Sequence, residues 1–290
     1  TLAGYEELAD LELIHDHTAI GPLIANRQRP GRPKPPVVVT FHGSFTPVAH
    51  RVVLASSEIA SIVAISHSHA RQAGQVPIAA VIHHGIDLGV YRPRPQHDGF
   101  LLFMGRMSPD KGCDIAIDVA HRAGTPLRIA TKMRTADEKA YFEQQVEPVL
   151  AAEDVVLVEP DLDTRCELLS AALALLNPIV WSEPFGLVMA ESLASGTPVI
   201  AVPNGAAPEI VDHGITGFLG RDRDEMVRAV GRAATIDPAV CRLAAENRFS
   251  LDRMAGDYER LFRRVLAGPD TVTPPRELDQ RSAAPDGNHG

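Results

Sequence analysis

Short apolar runs rich in Val, Ile and Leu recur along this chain, at 11–15, 37–41, 62–66, 79–83, 100–103, 127–131, 155–158, 172–177 and 199–202, with helical stretches between them. A strand that is apolar at nearly every position has to be covered on both faces, and alternation with amphipathic helices covers a parallel sheet in that way. The predicted class is therefore α/β, doubly wound. Helix ends are legible too. In "SPDKGCDIAIDVAHRAG", Ser108 is the cap candidate, Pro109 suits the first turn, Ile115, Ile117 and Val119 form the apolar stripe, and Gly124 is the stop. A further helix is expected from Pro208 to Gly214.

A length of 290 residues with 45% hydrophobic content is ample for two cores. The stretch "YRPRPQHDG", 91–99, breaks the strand and helix rhythm and reads as an interdomain linker. The expected domains are 1–97 and 98–266, followed by a polar, Pro-rich, disordered tail over 267–290. The chain opens "TLAGYEELADLELIHDHTAIG", without Met or a signal sequence, and enters directly into helix and strand, so the first domain is expected to lack its opening elements.

A formal charge of −9 with no long Lys/Arg run argues against nucleic-acid backbone and leaves membrane contact at most peripheral. Any anionic ligand must be held by a few placed cations. Cys113, Cys166 and Cys241 are scattered and odd in number, without a C-x-x-C pair, which points to a reducing, cytoplasmic setting. No apolar run reaches the ~20 residues that a membrane helix requires.

Two places carry chemistry. In "FLLFMGRMSPDKG" a strand runs into Gly105 and Arg106, a short loop, Lys111 and then helix, which brings both cations to the carboxyl end of a parallel strand, where ligands of open sheets bind. Taken alone, such a pair also suits a solvated loop. There is no G-x-x-x-x-G-K-[ST] and no G-x-G-x-x-G after a strand, so nucleotide hydrolysis and nicotinamide chemistry lose ground.

The second place is "SEPFGLVMAESLASGTPVI", 182–200. Its helix is expected to begin near Phe185, with Glu183 just before it and the Phe185, Gly186 and Leu187 amides in its unpaired first turn. Glu191 falls about two turns further on (~3.6 residues per turn), on roughly the same side. Glu183 could simply favour the helix N-terminus, and Glu191 could pair with a neighbouring cation. For Glu191 the apolar surroundings make an unpartnered carboxylate costly, and a ligand with adjacent hydroxyls would satisfy it. With cations and amides nearby for a diphosphate, a nucleotide sugar fits.

The chain resembles the retaining glycosyltransferases of family 4, of GT-B fold, through "VVVTFHGSF", "VIHHGIDLGVYRP", "LLFMGRMSPDKGCDIAI", "EPFGLVMAESLASGTPVIA" with its E-x7-E, and "GAAPEIVDHGITGFL", in that order. In flavour it is similar to actinobacterial antibiotic-pathway and other small-molecule glycosyltransferases. The resemblance implies two Rossmann-like domains facing across a cleft, acceptor on the N-terminal side and donor on the C-terminal side.

It further implies that Arg106 and Lys111 neutralise the donor diphosphate and that Glu191 accepts from the ribose hydroxyls. Glu183 and the amides of Phe185, Gly186 and Leu187 would hold the transferred sugar. His42, in "TFHG", matches the family histidine that approaches the sugar from across the cleft. No metal and no cofactor beyond the donor is implied, and the anomeric configuration is kept by a front-face route.

Two departures stand out. The family's first strand and Gly-rich loop do not appear before Thr1, and "EPDLDT" follows the 155–158 strand where a Gly-containing turn is common. The first leaves room for a chain that binds a donor without turning it over; a GT-B epimerase or hydrolase is the other rival.

His15 and His17 stand at i, i+2, a spacing that suits a metal but has no evident third ligand; the same holds for His67 with His69 and for His83–His84. Glu209 starts its helix at a loop that the fold points toward the donor, where capping explains it equally well.

Overall fold

The computed structural model describes residues 10–28 and 35–268. The first nine positions and residues 269–290 of the expected tail lie outside that range; the tail's first expected residue, Ala267, still belongs to the last helix.

Two parallel sheets form. The first has strands β1 (Ile14–Asp16), β2 (Val37–Thr40), β3 (Ser61–Ala64) and β4 (Ile78–Val81), in that order. Because side chains alternate between faces, Val39 and Ile62 pack toward the Pro47–Ser57 helix with Val53, while Val38 and Val63 face the other way. That other face is covered by the last helix, Leu251–Ala267, through Leu261, Met254, Tyr258 and Phe262. The last helix, assigned from sequence to the second domain, thus packs on the first sheet. Its apolar stripe is legible in the sequence, but the stripe does not say which sheet it covers.

The second sheet contains β5 (Leu101–Arg106), β6 (Leu127–Lys132), β7 (Val155–Val158), β8 (Ala174–Asn177), β9 (Val199–Ala201) and β10 (Gly217–Leu219), in the order β10-β9-β8-β5-β6-β7. From β5 the chain first builds outward through β6 and β7, then returns to add β8, β9 and β10 on the other side. The order therefore reverses between β5 and β8, and a crevice opens beyond their carboxyl ends. Strand β10 was not expected, since "GFL" is too short to announce itself.

Element ends differ from expectation in ways that shape the crevice. Strand β5 continues through Gly105 and Arg106, held by pairing of Arg106 with Lys132 on β6. The helix predicted at 108–124 is broken: a single turn at Pro109–Lys111 ends at Gly112, which takes φ 72°, and the α-helix proper is Cys113–Arg122. A Cβ on Gly112 would lie 2.4 Å from the Pro178 carbonyl oxygen, so only glycine lets the loop after β5 touch the loop after β8. The Ser108 side chain makes no cap bond. The helix expected from Pro208 to Gly214 is one turn, Ala207–Ile210.

The two chain crossings between the sheets run side by side. The Ile86 amide donates to the Phe249 carbonyl at 2.8 Å, and a Cβ on Gly85 would lie 2.7 Å from the Ser250 carbonyl oxygen.

Candidate active site

A cavity of about 700 Å³ lies between the sheets, at the reversal point of the second. His42, Gly105, Arg106, Lys111, Glu183, Phe185, Gly186, Leu187 and Glu191 all line it. Residues distant in sequence meet there because β2, β5 and β8 all end at its edge.

The helix behind Glu191 is Leu187–Ala194, so Phe185 and Gly186 precede it and Glu183 sits in a loop, not about two turns before Glu191 on the same helix. Gly186 takes φ 93° at the turn into the helix, a left-handed conformation that costs a side-chain-bearing residue roughly 1–2 kcal/mol. Beneath Glu183, a Cβ on Gly205 would lie 2.3 Å from the Glu183 carbonyl oxygen, and the Ala206 amide donates to that oxygen at 3.0 Å. The loop carrying Glu183 is thus seated on the loop after β9.

The two expected cations have different surroundings. Lys111 Nζ donates to both Glu183 oxygens at 2.7 Å, in a pair whose side chains are only 14% and 17% exposed. Lys111 also stands 5.6 Å above the Trp181 ring. Arg106 is half-exposed, with Asp110 at 3.5 Å and Glu138 at 3.9 Å. Glu191 has Arg165 at 4.0 Å, the outer edge of ion-pair reach, so a neighbouring cation is present, as the plainer reading of this carboxylate requires. Hydrogen-bonding distance would be shorter, and capacity to accept from a ligand remains.

Lys132, Arg165 and Trp181, none of them expected at the site from sequence, also line the cavity. Lys132 had a signal: it ends the strand beside β5, in register with Arg106. Arg165 and Trp181 had none at their own positions. Four cationic side chains face two carboxylates in this lining, which makes it positive inside a chain of charge −9.

On the first-domain side, His42 Nε2 lies 2.8 Å from His17 Nδ1, and the His42 ring stacks on His84 at 5.2 Å between centroids and 3° between planes. Burial, then the neighbouring His17, lowers the His42 pKa, and burial with His42 and His83 lowers that of His84 to about 4. His15 bonds instead to the Thr40 hydroxyl at 2.8 Å. Among the described residues no group of three or more His, Cys, Asp or Glu is arranged to hold a metal ion.

Glu209 spans the two domains. Its carboxylate accepts from the His67 and Ser68 amides at 2.8 and 2.6 Å and lies 2.9 Å from His83 Nε2. Beside it the Ser66 hydroxyl donates to the Pro184 carbonyl at 2.6 Å, next in sequence to Glu183. In the turn after β7, where the family commonly has Gly, Glu159 takes the left-handed region at φ 51°, with its carboxylate 2.6 Å from Arg134 Nε.

The arrangement of sheets and cleft is GT-B. Residues 99–235 match the family of glycosyl transferases group 1. That span contains the reversal point, both carboxylates and the cations of the cavity.

Among curated relatives of the chain, a D-inositol 3-phosphate glycosyltransferase of Mycobacterium marinum is 29% identical over 239 residues, 69% of this chain and 50% of the relative. One of the same name from Streptomyces griseus is 30% identical over 205 residues, 57% and 43%. The chain thus spans about half the length of these relatives or somewhat less. Among solved structures, a glycosyltransferase involved in avilamycin A biosynthesis superposes with TM-score 0.72 at 26% identity, over 93% of this chain and 79% of the other. HepE of Anabaena, in complex with UDP and glucose, superposes with TM-score 0.73 at 21% identity, over 90% and 80%. Among the described residues no helix is long and apolar enough to cross a membrane.

Proposed function

We propose that this chain is a retaining glycosyltransferase of family 4 that moves a hexose from a nucleotide diphosphate sugar to a hydroxyl of a small molecule or glycan. The observation that carries this reading is the positive cavity at the reversal point, where His42, Arg106, Lys111, Glu183 and Glu191 come together. A uridine diphosphate hexose is the first donor to try, because HepE is solved with UDP and glucose.

In this reading Arg106 and Lys111, joined by Lys132, balance the diphosphate as its charge grows. Glu191 accepts from the ribose hydroxyls, and Glu183 with the Phe185, Gly186 and Leu187 amides holds the hexose. The bond between the anomeric carbon and the diphosphate oxygen breaks, and its electron pair leaves with the diphosphate. The acceptor oxygen attacks from the same face and yields its proton to the departing phosphate. Side-chain cations and the dipole of the Leu187–Ala194 helix do the electrostatic work, without a divalent ion or a cofactor besides the donor. Lys111 is held by Glu183 before a ligand arrives, so donor binding shares that cation between the carboxylate and the phosphate.

The test is sugar transfer from labelled donors by wild type and an Arg106→Ala/Lys111→Ala double variant, with and without a chelator. Turnover that survives chelation and falls at least about a hundredfold in the double variant is expected, as for loss of a preorganised charge clamp. Unaltered turnover in the double variant would remove the diphosphate assignment. Loss of turnover on chelation would remove the metal-free one.

A further inference from the structure

His42 is the histidine that the family resemblance brings toward the sugar; its partner His17 has no part in the roles above. His42 Nε2 is committed to His17 Nδ1 at 2.8 Å, whereas its other ring nitrogen, Nδ1, has no hydrogen-bond partner among the described residues, on a side chain that lines the cavity. His17 lies just past β1 and is exposed. Which nitrogen of a neutral imidazole carries the proton is decided by the bond that the other nitrogen makes. An exposed imidazole in water prefers the proton on Nε2, which leaves His17 Nδ1 bare and able to accept. His42 then donates its Nε2–H to His17, and its Nδ1 is left as an acceptor. Both rings sit in their preferred tautomers, and the only free ring nitrogen of His42 accepts rather than donates.

We propose that His17 is a positioning residue: it fixes His42, which the family resemblance already brings to the sugar, with Nε2 protonated and Nδ1 bare, so that His42 meets the sugar as a hydrogen-bond acceptor and not as a donor. This rests on the donor-sugar reading of the cavity. The stacked His84 ring on one side and the tilted His15 ring beyond His17, with centroids 4.2 Å apart, hold the pair in place. The charged or titratable groups facing the pair are His15 and Asp16 from β1, His69 from the His67–Gln72 helix, and His84 with Arg253 of the last helix behind it. Lys111 and Glu183 face it across the cavity.

The experiment joins a readout of the ring with a readout of turnover. Nitrogen NMR on histidine-labelled wild type should show His42 with a bare Nδ1, and a protonated Nδ1 there would overturn the proposal. In His17→Ala, turnover should fall about tenfold with donor KM unchanged, as for loss of orientation and not of binding. Its acid limb should move to higher pH, because His17 is one of the causes that keep the His42 pKa low. His17→Asn, whose amide oxygen can take the same bond, should restore much of the rate. Equal turnover and an equal acid limb in wild type and His17→Ala would contradict the role. If the NMR shows the bare Nδ1 but no nucleotide sugar is bound by wild type, the pairing stands and the donor reading alone fails.

Discussion

At the scale of single residues, the site is an exchange of partners among buried charges. Lys111 and Glu183 are mostly shielded from water and hold each other, so removing either leaves the other buried and unpaired. Lys111→Met should therefore lower the unfolding free energy by about 3 kcal/mol. Lys111→Met with Glu183→Gln should recover part of that loss, and chemical denaturation of the singles and the double decides it. Full additivity of the two single losses would show that the pair is not coupled. The motif positions Arg106, Lys111, Glu183 and Glu191 were legible in the sequence because charged residues beside strand ends or inside an apolar helix are conspicuous. Arg165 and Trp181 were not, because their meeting at the cavity is decided by how two helices and a loop pack, which no local pattern encodes. The Lys111–Glu183 bond was equally hidden: the two residues are 72 positions apart, and each was read as facing a ligand.

At the scale of elements, glycines set the shape of the crevice. Gly205, with φ 57°, lies directly beneath the Glu183 backbone. Gly205→Ala combines left-handed strain with a clash against main chain that cannot swing aside, and should cost about 2 kcal/mol or more. A lower melting temperature together with weaker donor binding is the expected pair of results. Binding unchanged at full stability would show that the Glu183 loop does not need this seat. The strands were readable as apolar runs to within a few residues, except β10, whose three residues carry too little pattern. Helix starts were less readable. Gly112 and Gly186 both fall inside the helices expected from sequence, and only their positive φ shows that they mark the true beginnings of those helices.

At the scale of the whole molecule, the two sheets were evident from the rhythm of strands, while the crossing of the last helix onto the first sheet was not. That crossing joins the domains through a second connection, and Glu209 adds a bond across the cleft. Burial opposes ionisation of Glu209, but the bonds from His83, Ser68 and His67 outweigh it and hold its pKa low, so the clamp persists into mild acid. The histidine cluster behaves oppositely. His15 and His84 are lowered from 6.5 to about 4 in the fold, so the unfolded chain takes up protons first. Stability should therefore be complete above about pH 6.5 and should decline as pH falls toward about 4. Denaturant midpoints across that range check this, and a flat profile there would contradict the buried, neutral histidines.

The central claim is that the positive cavity between the sheets holds a nucleotide sugar by its two glutamates and its cations. Calorimetric titration of wild type and Glu191→Ala with nucleotide sugars differing in base and hexose tests it most directly. At least one donor should bind wild type, and Glu191→Ala should weaken that binding by about tenfold or more, as for loss of charge-assisted hydrogen bonds worth roughly 1.5–3 kcal/mol. Wild type that binds no nucleotide sugar, or Glu191→Ala that binds one with unchanged affinity, would contradict it.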